Sequence, residues 1–340
     1  MKSTLRNSLY VFSLSPAVLA IYGNLNGGIL TFTNVFYSLV ILATIEWIVP
    51  SVTSNNHSDK NDAMPHFIAL MHVPFQLASL LSLFYGINEG IIEGYWIVGA
   101  ALSTGLNSGS SAIVVAHELI HRKNNFEQSM GKLLLFTAGN MYFYVAHLRV
   151  HHKWVGTDKD FSTARYGESL YGFFIRSAKE QFIGSMQMEA TRLSKENKAG
   201  YGLGNYVVRQ VALQICLLLL LFAILGPMAV YAYLIQCVFA NFLLEYINYS
   251  QHYGLTRAEN QRVTEHHSWD CDKVVSRFVL VDLARHADHH YYASKPFHTL
   301  ENYENSPKLP TGYAGLFFIA AIPPLWKKVM HKRLVNFHSS

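Results

Sequence analysis

Seventeen histidines occur in 340 residues, and nine of them fall in four short stretches whose spacing could hold metal. "HELIH" sets His117 and His121 four residues apart; "HLRVHH" gives His147, His151 and His152; "RHADHH" gives His286, His289 and His290; "NYSQHYGL" contributes His252. At this frequency about one HxxxH arises by chance, so HELIH alone is a weak signal, whereas each triple has a chance expectation of roughly 0.04. On a helix, residues i and i+3 or i+4 share a face, so each cluster can aim at least two imidazoles at one point. His152 follows His151 directly and is expected to point elsewhere, toward a second metal. Imidazole suits zinc, copper, iron and nickel alike, so spacing does not name the metal.

The elements that must position these side chains are apolar. Hydrophobic residues make up 51% of the chain and charged residues 14%, against roughly 25% charged in a soluble domain. Apolar runs at about 8–23, 28–49, 65–86, 94–116, 206–226 and 228–248 approach the roughly 20 residues that a spanning helix needs. The expected fold is therefore all-α: a polytopic membrane protein of about six transmembrane helices in three hairpins, one domain over residues 1–340. With the N-terminus inside, the outer connections "GNLNG", "GINEGIIEG" and the turn at Gly226 and Pro227 hold no Lys or Arg, and all 27 basic residues fall on one side. The positive-inside rule then accounts for the net charge of +5 without nucleic acid. All four histidine stretches lie on that inner side and can converge there.

Three further segments are expected to lie at the interface rather than cross: 131–148, 173–193 and 313–326. Spanning by the first or last would export basic residues. The middle one carries a stripe of Phe174, Ala178, Phe182, Met186 and Ala190, with Arg176, Lys179, Glu180, Glu189 and Arg192 set off it, as an amphipathic surface helix would. Cys216, Cys237 and Cys271 form no CxxC and suggest neither disulfides nor a zinc ribbon. Residues 1–23 make a poor signal peptide, because a second apolar run follows at once and no small-residue cleavage site appears. No internal repeat or linker is present.

HELIH, HLRVHH, "NYSQHYGLTR" and "LARHADHHYYASKPF", followed by "LPTGYAGLFFIAAIPPLW", closely resemble the integral-membrane alkane monooxygenases, within the membrane fatty-acid desaturase and hydroxylase superfamily. "HHSW" at 266–269 adds to the resemblance, which covers nearly the whole chain. It implies that His117, His121, His147, His151, His152, His252, His286, His289 and His290 ligate two non-haem irons in a histidine-rich region facing the cytoplasm of a bacterial inner membrane. It also implies O2-dependent hydroxylation of the terminal carbon of an alkane, with electrons from rubredoxin and its reductase. The catalytic group is then the di-iron centre itself, with no separate acid or base. Two departures touch its surroundings: Ala146 and Gln251 stand where the family commonly has Glu. Glu118, Asp160 and Asp288 lie near the boxes and are candidates to hold ring N–H groups.

The remaining histidines have blander expected roles. His57, His331 and His338 fall in polar or terminal segments and are read as surface residues, His66 and His72 as interfacial, and His266, His267 and His298 as near the boxes without ligating. Asn248 is placed to order the loop before His252. The chain has no flavin or nicotinamide fingerprint and no fused rubredoxin or haem stretch, so electrons must come from outside. The basic inner surface, with Lys153, Lys159 and Arg165, suits an acidic donor. Two other readings compete: a desaturase, or a hydroxylase of fatty acyl, aromatic methyl or terpenoid substrates; and a non-enzymatic membrane metal-binding or transport protein. Transporters line a path through the midplane with polar groups, whereas here the histidines collect at one face.

Overall fold

The computed structural model describes residues 6–55 and 59–339; His57 and the side chain of His338 lie outside that description. Among the described residues it is all-helical, and six helices are long and apolar enough to span: α1 (Ser8–Asn26), α2 (Gly28–Ile48), α3 (Ala63–Asn88), α4 (Trp96–Ile120), α8 (Tyr206–Leu225) and α9 (Pro227–His252). Between and after them come α5 (Asn125–Thr137), α6 (residues 143–154), α7 (Leu170–Lys195), α10 (Val274–Val279), α11 (His286–Tyr291), α12 (Tyr313–Ala320) and α13 (Pro323–Ser339). The α8–α9 connection is a single residue, as is the α1–α2 connection at Gly27: Gly226 stops α8 with φ of 78° and Pro227 opens α9. A left-handed glycine followed by proline at the first helical position is the cheapest way to stop one helix and start the next.

α4 is the axis of the bundle and α8 its outermost member. Of an 18-residue window, 83% is buried in α4 but only 11% in α8. The sequence of α4 explains its position, because "LSTGLNSGSS" combines small residues with hydroxyl and amide groups that other spans can reach. Asn107 donates to Gln76 Oε1 at 2.8 Å, Ser108 to Gln236 Oε1 at 2.8 Å, and Asn24 to Thr104 Oγ1 at 3.2 Å. His72, expected at the interface, is instead buried inside this network, between Ser13 Oγ at 2.9 Å and Ser111 Oγ at 2.7 Å. In lipid such bonds are worth about 0.6 kcal/mol each, and small residues add close backbone approach. Gly105 and Gly109 supply that approach against α9.

The spans reach further than the hydropathy runs suggest. α4 continues to Ile120 and α9 to His252, so His117 and His252 sit within helices that begin at the glycine-bearing end and run to the opposite one. Residues 131–148 do not form one helix: Gly139, with φ of 69°, breaks α5 from α6. Residues 313–326 are likewise two pieces, because Pro323 starts α13 rather than merely ending α12. In α7 the buried edge lies one position over from the apolar stripe, on Phe173, Ser177, Gln181 and Gly184, and it takes Glu189 inside as well. Its polar members are satisfied locally, Gln181 donating to Glu245 Oε1 at 2.7 Å.

A methyl added at Gly109 would meet Leu243 Cβ at 2.9 Å and the Ala240 carbonyl at 3.0 Å. Gly109→Leu is therefore expected to push α4 from α9 at a cost of about 1–3 kcal/mol, read as a lower thermal unfolding midpoint. Because these two helices carry His117 and His252, the variant should also retain less metal after purification.

Candidate metal centre

The structure brings all nine histidines together at the C-terminal ends of α4 and α9, with α6 and α11, in two groups. His117, His121, His147, His152 and His289 form one, and His151, His252, His286 and His290 the other, each with its ligand atoms within 4.8 Å of one another. The pairing inside HLRVHH differs from the helical expectation. Residues 147–151 form a π-helical turn, closed by the His152 amide on the His147 carbonyl. That wider turn sets His147 beside His152, five residues on, and swings His151 into the other group. The third box also divides: His286 pairs with His290 one turn later, and His289 crosses to the five-membered group.

The Nε2 atoms are close enough to test what they could hold. His121, His147 and His152 place theirs 3.0, 3.0 and 2.9 Å apart, and His289 comes within 3.2 Å of His152. In the other group His286 Nε2 lies 3.2 Å from that of His252 and 2.9 Å from that of His290. An imidazole nitrogen either donates or accepts, so in a triangle of three at least two have the same role and repel. Hydrogen bonding cannot satisfy such a set. A cation can: metal–imidazole bonds of about 2.0–2.1 Å at right angles put neighbouring nitrogens about 3 Å apart. The donor set fits a metal in each group.

Electrostatics keeps the rings in the ligating form. Burial, reinforced by neighbouring His151 and Arg122, lowers His121 to about 4. Burial and the adjacent histidines put His147, His152, His286, His289 and His290 well below the ordinary imidazole range. Neutral imidazoles offer lone pairs at neutral pH without first losing a proton.

Of the three acids expected to hold ring N–H groups, Asp160 alone touches a histidine, with Oδ2 2.9 Å from His151 Nδ1. Burial would raise its carboxyl, but His151 and the Thr163 hydroxyl at 2.7 Å hold it below the usual range. Glu118 is taken by Arg122 and the Phe297 amide, and Asp288 by Lys295, Tyr303 and the Glu301 amide. Both bind the segment after α11 rather than a ring. His252 Nδ1 faces the His267 carbonyl at 3.3 Å, so the "HHSW" element contributes backbone instead of a ligand. Asn248 lies within α9 and faces Glu245 at 3.5 Å. His66 pairs with Glu127, His298 meets the Asp59 carbonyl, His266 is outside the groups, and His331 bonds the Tyr253 hydroxyl. Ala146 is buried against the site and offers no oxygen; Gln251 passes its carbonyl to the Trp269 amide.

Sequence reasoning missed the supports of the third box. Val281 and Asp282 both have positive φ, 44° and 52°, just before Arg285 and His286. Non-glycine residues persist there only when their surroundings over-determine them. Burial would raise the Asp282 carboxyl, but Arg277 at 2.6 Å and Arg6 keep it low, and Tyr10 donates to it as well. Asp270 accepts the Ala287 amide at 2.8 Å and the Ser306 hydroxyl at 2.7 Å. The signal was local: "DCD" directly follows the recognised HHSW.

A spanning helical bundle with two buried all-histidine groups at one face defines a membrane metalloprotein of the desaturase class, and the fatty acid desaturase family matches residues 93–320. The chain is 37% identical over 261 residues to alkane 1-monooxygenase 1 of Pseudomonas aeruginosa, covering 75% of this chain and 68% of that protein. It is 36% identical over 264 residues to alkane 1-monooxygenase 2 of Alcanivorax borkumensis, 75% and 69% of the two chains. More distantly it is 28% identical over 265 residues to the xylene/toluene monooxygenase hydroxylase component XylM of Pseudomonas putida, 77% and 72% of the two chains. Within its class, the chain belongs to the alkane monooxygenase family. It is thus an oxidoreductase of the monooxygenase type.

Replacing Asp160 by Asn leaves the shape but removes the charge that orients His151. Such a loss is expected to weaken metal binding about 10–100-fold, measured as metal retained after dialysis against a graded chelator. His266→Ala, outside both groups, should leave retention unchanged.

Proposed function

We propose that the protein is a non-haem di-iron monooxygenase that converts the terminal carbon of an alkane to a primary alcohol, the nine histidines holding one iron in each group. The observation that carries this reading is the position of the histidines at the end of an apolar slot. Ile113, Val114, Phe143, Leu244 and Leu283 wall a narrow cavity, edged by Asn248 and Gln251, that reaches His117, His147 and His286. It adjoins, at Ile247 and Leu280, a second, mostly apolar cavity between α2, α4, α9, α10 and α12. A linear chain threaded through both would present its end to rings of both groups.

Bound iron supplies O2 reduction: one oxygen atom enters the C–H bond and the other leaves as water, with two electrons and two protons from outside the substrate. The residues of the chain provide the rest. The histidines fix two metals side by side, and the apolar walls exclude water and orient the terminal carbon. Chain burial gains about 0.8 kcal/mol per CH2 relative to water but little relative to lipid. Slot length and width therefore set selectivity. The slot favours a thin linear substrate over the ring compounds in the name of the more distant relative; competition between octane and xylene separates the two.

Electrons are proposed to come from rubredoxin or a similar acidic carrier with its reductase. His152 is half-buried and is followed by Lys153 and Trp154, and Lys153 and Lys159 both lie over the Trp154 ring, at 4.7 and 4.6 Å. Lys159 also pairs with Glu259, Arg165 is exposed in the loop that follows, and we assign this side to the cytoplasm of a bacterial inner membrane.

Purified protein is expected to carry about two irons per chain and to yield 1-octanol from octane with reductant and O2. In His152→Ala, alcohol should vanish while roughly one iron stays in the four-histidine group. Iron without alcohol from octane or hexadecane would move the substrate to another class, and folded protein that takes up no iron would sink the reading. Leu280→Ala should shift preference toward hexadecane and Ile247→Phe toward octane, by about 1–2 kcal/mol in kcat/KM ratio, the worth of one to three methylenes in a pocket.

A further inference from the structure

Away from the histidines, a second set of charged side chains collects at the same end of the bundle, where α6, α7 and the start of α8 meet. Arg149, Arg192 and Arg209 line a cleft there with Glu189, Tyr144 and Tyr206. Glu189 is buried and accepts Arg149 on Oε1 at 2.7 Å and Arg192 on Oε2 at 3.1 Å, which sets two guanidinium groups side by side. Glu196 takes another N–H of Arg192 at 2.9 Å. Arg209 gives one N–H to the Leu203 carbonyl at 3.4 Å and lies over the Tyr206 ring. Lys132 sits 4.1 Å from the centre of the Tyr144 ring, and that ring packs 5.4 Å from Tyr206. With Lys198, which also pairs with Glu196 at 2.8 Å, five cations stand against two carboxylates and leave this small region with a charge of +3. The Tyr206 hydroxyl in the same wall is buried and has no hydrogen-bond partner. Donors are in surplus, and an anion is what would satisfy them.

The depth of the cleft selects the kind of anion. Arg209 lies one turn inside α8, at the end of that helix nearer the histidines. Beyond it α8 presents Leu213, Leu219, Leu220 and Phe222 as bare exposed apolar side chains. The cationic cleft is therefore at headgroup level, with acyl-chain surface directly beneath it, which is how basic pockets on the inner face of membrane proteins meet anionic lipids. A soluble phosphate compound would use the cations and leave the apolar strip unexplained. We propose that the cleft formed by Arg149, Arg192, Arg209, Tyr144 and Tyr206 binds the phosphodiester headgroup of an anionic membrane lipid, whose acyl chains lie along the exposed face of α8. Arg149 stands between His147 and His151 in the π-helical turn, so the occupied cleft also steadies the backbone that carries three of the nine histidines. The proposal is independent of which metal or substrate the centre takes.

The test uses the full-length protein in neutral detergent, titrated separately with phosphatidylglycerol, phosphatidylcholine and inorganic phosphate, reading retained lipid by mass spectrometry and the unfolding midpoint. Phosphatidylglycerol should be retained at about one molecule per chain and should raise the midpoint, with neither other probe doing so. Arg192→Gln with Arg209→Gln should weaken that binding roughly tenfold to thirtyfold, from about 1 kcal/mol per basic residue near a lipid surface. Should the double variant fail to fold, Arg209→Gln alone carries the comparison, with a loss of roughly fivefold, and Tyr206→Phe serves as a second, uncharged probe of the same wall. Unchanged affinity in the variants overturns the proposal. Equal stabilisation by phosphatidylcholine overturns it too, and a rise reproduced by inorganic phosphate would mark a bare anion site instead of a lipid site.

Discussion

Nine imidazoles packed together, seven of them buried, form the constraint on which the rest of this structure depends. Their nitrogens stand about 3 Å apart, too close and too alike to satisfy one another by hydrogen bonding, so the surrounding protein must hold them against their own repulsion. The bundle does this with rigid parts. α4 is clamped on all sides by amide and hydroxyl bonds, α9 lies against its glycines, and Asp160 and the His267 carbonyl orient rings from behind. Cation binding would convert the repulsion into cohesion.

Much of this was legible in the sequence because lipid imposes a simple code. Charge-free runs separated by glycine-rich or basic turns predict six spans, and the gathering of every histidine stretch at one end of the bundle follows from alternating them. Side-chain direction was less legible. The spacing of His147 and His151 reads as one helical face, but a π-helical turn assigns His147 with His152 and sends His151 away. Hydrogen bonding of that kind is decided by packing around Ala146 and α7, which no pattern of residue types records. Likewise the segment 313–326 reads as one interfacial piece, whereas Pro323 opens a new helix within it.

The second class of illegible feature is the buried ionic layer over the third box. Arg6 comes from the start of the chain, Arg277 from α10 and Arg285 from the turn before α11, and they meet Asp282 and Asp272 away from solvent. In sequence each looks like an ordinary inner-face charge. Together with Asp270 they fix the strained residues 281 and 282 and the short helix α11 behind them. Six residues of helix cannot stand alone in water; α11 is held in place by the carboxylate under its first turn and by the loops on either side. Glu118 and Asp288, read as partners of the rings, turn out to tether those loops instead.

The way the two histidine groups draw on the chain has a consequence for biosynthesis. One group takes residues from α4, α6 and α11 and the other from α6, α9 and α11, so both need the segment around His290. That segment leaves the ribosome after all six spanning helices have been made. Neither group is complete on a partly synthesised chain, so a metal that needs the full set would be captured only after the bundle is made, as a seal on helices already inserted in their membrane.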